Sequence, residues 1–225
     1  TYDILKEYVE KNYPDNPVLS EVGSEIMDKV KVKLPYYMGS QNKIKDSESE
    51  ITKYKKKYPG PYLISDKLDG VSGMFVYEGD NVKLYTRGNG REGQDISHLH
   101  KYISGFPKIK KQDKLAVRGE FIISKDNWDK LKKVDDTLSN PRNTVSGAIN
   151  SKILNKQLLK MIDFVAYTLV FPNLPNGLPE LDKMKFNVVN NTVVDDISLA
   201  FLSKNLEVSR KNKYVIDGIV ISDIS

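Results

Sequence analysis

The stretch that decides the fold is YLISDKLDGVSGMFVYEGDNVKLYT, which covers residues 62–86. Its apolar runs at 62–65, 73–77 and 82–86 are typical of strands, and the polar turn at 78–81 predicts that the last two runs form a hairpin. Lys67 follows the first run. An amine with an ordinary pKa of about 10.4 becomes a nucleophile only where burial or nearby cations favour its neutral form. Lys67 is therefore a candidate nucleophile, although a polar turn between strands is the favoured interpretation of Lys67-Leu68-Asp69-Gly70 taken alone.

Further strands and helices surround this hairpin. Apolar runs predict strands at 115–123, 164–171 and 214–221. Apolar periodicity and capping residues predict helices at 2–12, at 47–58, after Ser124, at 143–153, and after a cap at Asp195 or Asp196. Because hairpins are interspersed with helices and strict βαβ alternation is absent, the fold class is predicted to be α+β with antiparallel sheets packed together.

Composition narrows the class of protein. A chain of 225 residues can hold one substantial domain, and the absence of cysteine excludes disulfides and thiolate metal sites. The two histidines, His98 and His100, lie in a polar stretch, where both are expected to be exposed. No apolar run is long enough to cross a bilayer, so a cytoplasmic or nuclear protein without a membrane partner is expected. A net charge of +5 and a pI near 9.0 suit a nucleic-acid partner, although solvated lysine-rich faces would give the same excess.

Polar groups beside the apolar runs form a series of candidate site residues. Arg87 precedes Gly88, Gly90 and Gly93, which form a loop that can approach a ligand closely while the arginine binds ribose or phosphate. Glu120 stands in an apolar strand, where its charge is costly unless a ligand, a metal or a cation meets it. The alternative for the Arg87 segment is a glycine-rich hairpin end, and the alternative for Glu120 is a structural ion pair.

Three later residues complete the series. Arg142 lies in a turn that opens a helix, Tyr167 offers an aromatic face in an apolar strand, and Asp217 stands at the mouth of the final strand. A carboxylate in that place can pair with Mg²⁺ or with a lysine. The alternatives are that Arg142 belongs to a capping turn, that Tyr167 is a core aromatic, and that Asp217 belongs to a strand-entry turn.

Together, and in this order, these segments resemble the nucleotidyltransferase domain of NAD⁺-dependent DNA ligases. The resemblance spans nearly the whole chain and is carried by Tyr2-Asp3-Ile4-Leu5, Met38-Gly39-Ser40-Gln41-Asn42, Lys67-Leu68-Asp69-Gly70-Val71, Thr86-Arg87-Gly88-Asn89-Gly90 with Gly93 and Asp95, Val117-Arg118-Gly119-Glu120, Asn140-Pro141-Arg142-Asn143 with Gly147, and Asp217-Gly218. The glycine-rich and Asn-Pro-Arg-Asn segments are the most specific, because ATP-using relatives share the lysine motif but not these.

The resemblance implies a reaction and a set of residue roles. Lys67 would attack the α-phosphate of NAD⁺, keep the AMP and release nicotinamide mononucleotide. The full-length enzyme would then pass the AMP to the 5′-phosphate of nicked duplex DNA. The residues implied to bind the dinucleotide are Tyr2, Asp3, Ser40, Gln41, Ser65, Asp69, Arg87, Glu120, Arg142, Tyr167 and Asp217. Glu120 and Asp217 would also bind Mg²⁺.

The resemblance also implies an organisation. It predicts a partial N-terminal subdomain and linker at 1–35 that binds nicotinamide mononucleotide. An α+β adenylation domain with flanking helices is predicted at 36–225 and stops before the family's last lysine motif. The expected protein is a monomer in a bacterial cytoplasm or a virus-infected host cell. The 225-residue chain alone is expected not to seal nicks.

Several residues depart from the family's pattern. Ser65 replaces a glutamate that reads the adenine edge, Gln41 replaces a leucine of the adenosine pocket, and Ser222 replaces a phosphate-binding lysine. Asn89 and Asn150 replace an aspartate and an arginine. These departures leave two alternatives open. One is an ATP-dependent ligase or capping-type nucleotidyltransferase, and the other is a non-catalytic DNA-binding scaffold with the same fold.

Overall fold

The computed structural model describes residues 30–109 and 112–225, together with Tyr8, Lys11 and Asn12. Those three residues are helical, but the rest of the helix predicted at 2–12, including the candidate site residues Tyr2 and Asp3, lies outside the described part of the chain. No helix in the described part is long and apolar enough to cross a lipid bilayer.

Three antiparallel sheets organise the described residues. The four-stranded sheet has the order β4-β3-β6-β7, the three-stranded sheet the order β8-β2-β9, and β1 pairs with β5. The strands are β1 (Val32–Lys33), β2 (Tyr62–Leu68), β3 (Val71–Gly79), β4 (Asn81–Thr86), β5 (Glu92–Gly93), β6 (Gln112–Ile123), β7 (Ile162–Phe171), β8 (Asn191–Val194) and β9 (Ile216–Asp223). The chain passes from the three-stranded sheet into the four-stranded one between β2 and β3, at Asp69 and Gly70.

Helices flank these sheets, which confirms the predicted α+β class. They are α1 (Glu48–Lys57), α2 (Lys125–Val134), α3 (Pro141–Asn150), α4 (Lys156–Leu159), α5 (Leu178–Lys183) and α6 (Leu199–Ser209), with a 3₁₀ turn at Ser97–Leu99. Ser47, Ser124 and Asn140 cap the first three helices, since each side chain accepts a hydrogen bond from a backbone N–H in the first turn.

The structure corrects several boundaries. The helix predicted after Asp195 or Asp196 is α6, which is capped instead by Ser198, whose hydroxyl accepts from the N–H of Phe201. The helix predicted at 143–153 begins two residues earlier, because Pro141 fits the first helical turn, and it ends at Asn150. His98 is exposed as predicted.

His100 is not exposed, contrary to the prediction. It is half-buried, and its ring centroid lies 5.9 Å from that of Phe75 and 4.8 Å from that of Phe106. The stretch around it packs on the four-stranded sheet, so Phe75 of β3 covers the imidazole together with the nearby Phe106.

Among the described residues, buried apolar side chains form three clusters, two of which include residues of β2. Phe75, Phe121 and Phe164 are fully buried in the main core at the four-stranded sheet. Tyr62 and Ile64 of β2 form a second core with residues of α1 and α6. The opposite face of β2 carries Leu63, which packs on the main core, and then Ser65 and Lys67. That face therefore looks toward the four-stranded sheet.

Candidate active site

A β-bulge between β2 and β9 brings Asp217 to Lys67. Asp66 pairs with Ile219 and Leu68 pairs with Ile216, so two residues of β9, Asp217 and Gly218, oppose Lys67 alone. Gly218 has a φ of +152°, a conformation that favours glycine. A bulge of this kind redirects side chains. The Nζ of Lys67 donates to Oδ1 of Asp217 at 2.8 Å, across 150 residues of sequence.

Lys67 is accessible to a ligand. Its side chain is 55% exposed, and that of Asp217 is 42% exposed. Both groups can therefore meet a ligand from solvent. The ion pair itself is exposed and contributes little to stability.

Glu120 lies at the centre of the site. Its Oε1 accepts from the N–H of Gly70 and its Oε2 from the hydroxyl of Ser72, each at 3.1 Å. The side chain is 7% exposed, and this burial raises its pKa to about 7 against the opposing effect of both hydrogen bonds and of the charges on Arg142 and Lys67. A carboxyl group with such a pKa changes its protonation state near neutral pH.

Glycine is required at position 70 for this contact. A Cβ there would stand 2.4 Å from the carbonyl oxygen of Phe121 and 2.9 Å from Cγ of Glu120. Any side chain would push β6 away from the turn between β2 and β3. The glycine of the lysine motif therefore allows the close approach that places Glu120 beside the turn that follows Lys67.

Tyr167 and Arg118 form one wall of the site. The hydroxyl of Tyr167 donates to that of Ser72 at 3.5 Å, and burial raises its pKa. The guanidinium carbon of Arg118 lies 5.8 Å from the centre of the Tyr167 ring, and its NH2 group donates to the carbonyl of Gly39 at 3.2 Å. Ser72 thus connects Tyr167 with Glu120.

Arg87 approaches the same wall from the glycine-rich turn. Its NH2 group donates to the hydroxyl of Ser40 at 2.7 Å, and burial lowers its pKa. The Nε atoms of Arg87 and Arg118 are buried, and neither has a hydrogen-bond partner among the described residues. An unpaired buried donor is costly. Two such donors on neighbouring guanidinium groups fit an anionic or oxygen-rich ligand.

Arg142 reaches the site from the start of α3. Its NH1 group lies 3.6 Å from Oδ1 of Asp69, and its side chain is 60% exposed. The capping hydrogen bond from the N–H of Asn143 to the side chain of Asn140 fixes this turn. The structure therefore brings Lys67, Asp69, Arg87, Glu120, Arg142, Tyr167, Asp217 and Ser40 into one connected neighbourhood.

Other predicted site residues are less closely connected. Ser65 is buried on the face of β2 that carries Lys67, between Asn191 of β8 and Val220 of β9. Gln41 is exposed, and no hydrogen bond or ion pair joins it to another described residue. Ser222 pairs with Leu63 on the same face as Ser65.

The described residues offer few grouped ligands for a metal ion. Among the described residues, no group of three or more histidines, cysteines, aspartates and glutamates could hold a metal ion. Both oxygens of Glu120 are occupied by protein donors, whereas Asp217 is exposed beside the amine. Asp217 therefore fits a Mg²⁺ ion better than Glu120 does, since Mg²⁺ commonly uses one or two carboxylates with substrate phosphates and water.

Sequence reasoning missed Ser72 as a member of the site. The period-2 alternation of a strand was the available signal, because Ser72 lies two residues after Gly70 and so shares its face of the chain. The sequence alone assigned no role to Arg118. Its hydrogen bond to Gly39 joins residues that are far apart in sequence, so no local pattern indicates it.

Comparison with known protein families identifies the class of this chain as a nucleotidyltransferase adenylation domain. The chain belongs to a particular family within that class, because residues 37–223 match the model of the NAD-dependent DNA ligase adenylation domain. It is 39% identical over 99% of its length to a DNA ligase of Acanthamoeba polyphaga mimivirus, of which it covers 35%.

Two further relatives show the same relation. The chain is 32% identical over 98% of its length to a putative DNA ligase of Invertebrate iridescent virus 6 and covers 36% of that protein. It is 30% identical over 97% of its length to a DNA ligase of Pelagibacter ubique and again covers 36%. The chain thus spans about a third of the length of these curated relatives.

Proposed function

We propose that Lys67 is the residue that this domain adenylates. Its Nζ attacks the α-phosphorus of NAD⁺, and a phosphorus–nitrogen bond forms. The pyrophosphate phosphorus–oxygen bond breaks, and nicotinamide mononucleotide leaves with the electron pair. The ammonium of Lys67 gives up one proton to become the attacking amine and a second in forming the lysyl-AMP phosphoramidate; Asp217 accepts one of them and solvent the other. The observation that carries the proposal is the 2.8 Å contact between Nζ and Asp217 at a bulge that presents both groups to a ligand.

Asp217 supports this chemistry as a proton acceptor. Its Oδ1 already accepts a hydrogen bond from Nζ, so the proton that leaves the amine has an acceptor within hydrogen-bond reach. Its exposure lets a phosphate displace the ion pair without unfolding a buried network.

The surrounding residues support binding of the adenylyl group. Arg87 and Arg118 carry unpaired Nε donors, and Arg142 adds an exposed cation for phosphate oxygens. Tyr167 supplies an aromatic surface for a purine, and Glu120 accepts hydrogen bonds such as those from ribose hydroxyls. Catalysis by such a site consists mainly of positioning and charge neutralisation.

Mg²⁺ is proposed as the metal, with Asp217 as its carboxylate ligand. When bound, the ion neutralises negative charge on the phosphates. Glu120 remains a weaker candidate ligand because its two oxygens already accept hydrogen bonds from Gly70 and Ser72.

The whole protein is proposed to use NAD⁺ to join nicked duplex DNA. The relatives are named DNA ligases, and the excess of positive charge suits a DNA partner. The 225-residue chain is proposed to carry out adenylation only, as the 36–225 domain of a monomeric enzyme. Tyr2 and Asp3 are proposed to contact the nicotinamide mononucleotide half. Ser40, Gln41, Ser65 and Asp69 are proposed to line the nucleotide site.

One observation favours a non-catalytic scaffold instead. Ser222 shares the face of Ser65 and Lys67, and a hydroxyl there cannot supply the charge of a phosphate-binding lysine. A scaffold would keep the fold and the basic surface without forming a covalent adenylate. An ATP-using enzyme would form the adduct with the other nucleotide.

Intact-mass spectrometry separates these possibilities. The chain is incubated with Mg²⁺ and either NAD⁺ or ATP, and the gain of one AMP is measured. The proposal predicts an adduct with NAD⁺ that Lys67→Arg abolishes. Lys83→Arg is the matched control, because Lys83 is a strand lysine that is 51% exposed with a carboxylate 3.5 Å away. An adduct with ATP alone, or no adduct with either nucleotide, contradicts the proposal.

A further inference from the structure

A buried carboxylate adjoins the nucleophile and has no part in the proposed reaction. Asp66 precedes Lys67 in β2, and successive side chains of a strand point to opposite faces. Asp66 is 6% exposed. Its Oδ1 accepts from Nδ2 of Asn190 at 3.2 Å, and its Oδ2 accepts from Nδ2 of Asn212 at 3.3 Å. No lysine or arginine of the described residues forms an ion pair with it.

These contacts tie together three segments of the chain. Asn190 immediately precedes β8, and Asn212 lies in the turn that precedes β9. The N–H of Asp66 also donates to the carbonyl of Asn190 at 3.1 Å. Asp66 thus links β2, the central strand of the three-stranded sheet, to the residues that lead into β8 and β9.

The register of β9 changes at the next residue of β2. Asp66 is the last residue in regular register before the bulge that sets Asp217 and Gly218 against Lys67. A slip of one residue in a strand turns its side chains to the opposite face. Such a slip in β9 would remove Asp217 from Lys67, so the site depends on the contacts that hold this register.

The carboxylate of Asp66 is costly to bury, because it leaves water for only two neutral amide partners. Hydrogen bonds, however, require specific directions and distances, which apolar packing does not. A buried polar group can fix register for this reason.

We propose that Asp66 is a positioning residue for Lys67. Together with Asn190 and Asn212 it holds the register that places Asp217 opposite the amine. The effect on adenylation rests on the proposed function, whereas the effect on the bulge does not. The two effects are therefore measured separately.

The test compares two perturbations with one control. Asp66→Leu removes both hydrogen bonds, and Asn212→Ala removes one of them and leaves the carboxylate in place. Asp163→Asn is the control, because Asp163 is a strand aspartate that is 14% exposed, accepts from the hydroxyl of Tyr214 at 2.7 Å and has no contact with Lys67. Three quantities are measured: amide hydrogen exchange at 216–219, affinity for AMP, and the single-turnover rate of adenylation from saturating NAD⁺.

Asp66→Leu is expected to accelerate exchange at 216–219 and to slow adenylation roughly 10- to 100-fold, the range that misplacement by about 1 Å can cause. AMP affinity is expected to persist, since Arg87, Glu120, Arg142 and Tyr167, which are proposed to bind the adenylyl group, lie outside β2 and β9. Asn212→Ala removes only one of the two hydrogen bonds. It is also expected to accelerate exchange at 216–219 and to slow adenylation, but by less than Asp66→Leu does. Asp163→Asn is expected to lower stability without slowing the saturated rate.

Unchanged exchange at 216–219 in both Asp66→Leu and Asn212→Ala overturns the proposal. So does an unchanged adenylation rate in a folded Asp66→Leu protein whose exchange is faster. If the unmodified chain takes up no AMP, the proposed function fails, and the exchange measurement still decides whether Asp66 holds the bulge.

Discussion

Glu120→Gln is predicted to change the pH dependence of stability. In the folded protein, burial raises the pKa of this carboxyl from 4.5 to about 7. In the unfolded chain the group returns to its ordinary pKa. As the pH rises above 4.5, the unfolded chain therefore loses the proton before the folded protein does, and ionisation favours unfolding.

The magnitude follows from the two pKa values. Below pH 4.5 the carboxyl is protonated in both states and has no differential effect. Between pH 4.5 and about 7 the free energy of unfolding falls by about 1.4 kcal/mol per pH unit from this group. Above about pH 7 the penalty is constant at about 3 kcal/mol. Glutamine has the same shape and no charge, so the variant should escape this penalty while its carbonyl still accepts from Gly70.

Urea unfolding followed by the fluorescence of Trp128 measures the effect. The unfolding free energy of Glu120→Gln, relative to the unmodified protein, should rise by about 3 kcal/mol between pH 4.5 and pH 8. Glu207→Gln is the control, because Glu207 is exposed on α6, and its difference from the unmodified protein should stay flat. A difference for Glu120→Gln that is equal at both pH values would show that burial does not hold this carboxyl neutral, and would refute the reasoning.

Two further substitutions test the packing around the site. Gly73→Ala should destabilise the protein by about 1–3 kcal/mol in urea unfolding, because a Cβ there would stand 2.1 Å from the Phe121 ring; unchanged stability would contradict this packing. Burial between Phe75 and Phe106 lowers the pKa of His100, so the unfolded chain takes up a proton below about pH 6.5 more readily than the folded protein does. His100→Leu should therefore remove a loss of stability that develops as the pH falls from 7 to 5, and an identical acid dependence in both proteins would contradict this.

Much of the fold could be predicted from local sequence signals. The alternating and apolar runs at 62–86 predicted β2, β3 and β4, because those strands bury one or both faces on large cores. Capping residues such as Ser124 predicted where helices begin, because the cap bonds to the backbone of the first turn. The short strands β1, β5 and β8 were missed, because each has only two to four residues, too few for an alternating pattern, and exists only through pairing with another strand.

The sequence indicated which residues belong to the candidate site better than it indicated how those residues are arranged. Motif order identified Lys67, Glu120 and Asp217, but the bulge that joins Lys67 to Asp217 depends on strand register, which local sequence does not specify. No local pattern in the sequence assigned a role to Asp66. Its role depends on Asn212, 146 residues away, so only the folded chain could reveal it.

The most direct test of the central claim is to map the adenylate within the chain. After exposure to NAD⁺ and Mg²⁺, the protein is digested, and the modified peptide is sequenced by tandem mass spectrometry. The account predicts AMP on the side chain of Lys67, with nicotinamide mononucleotide released in equal amount. AMP on any other residue, or release of nicotinamide mononucleotide without a modified Lys67, would contradict it.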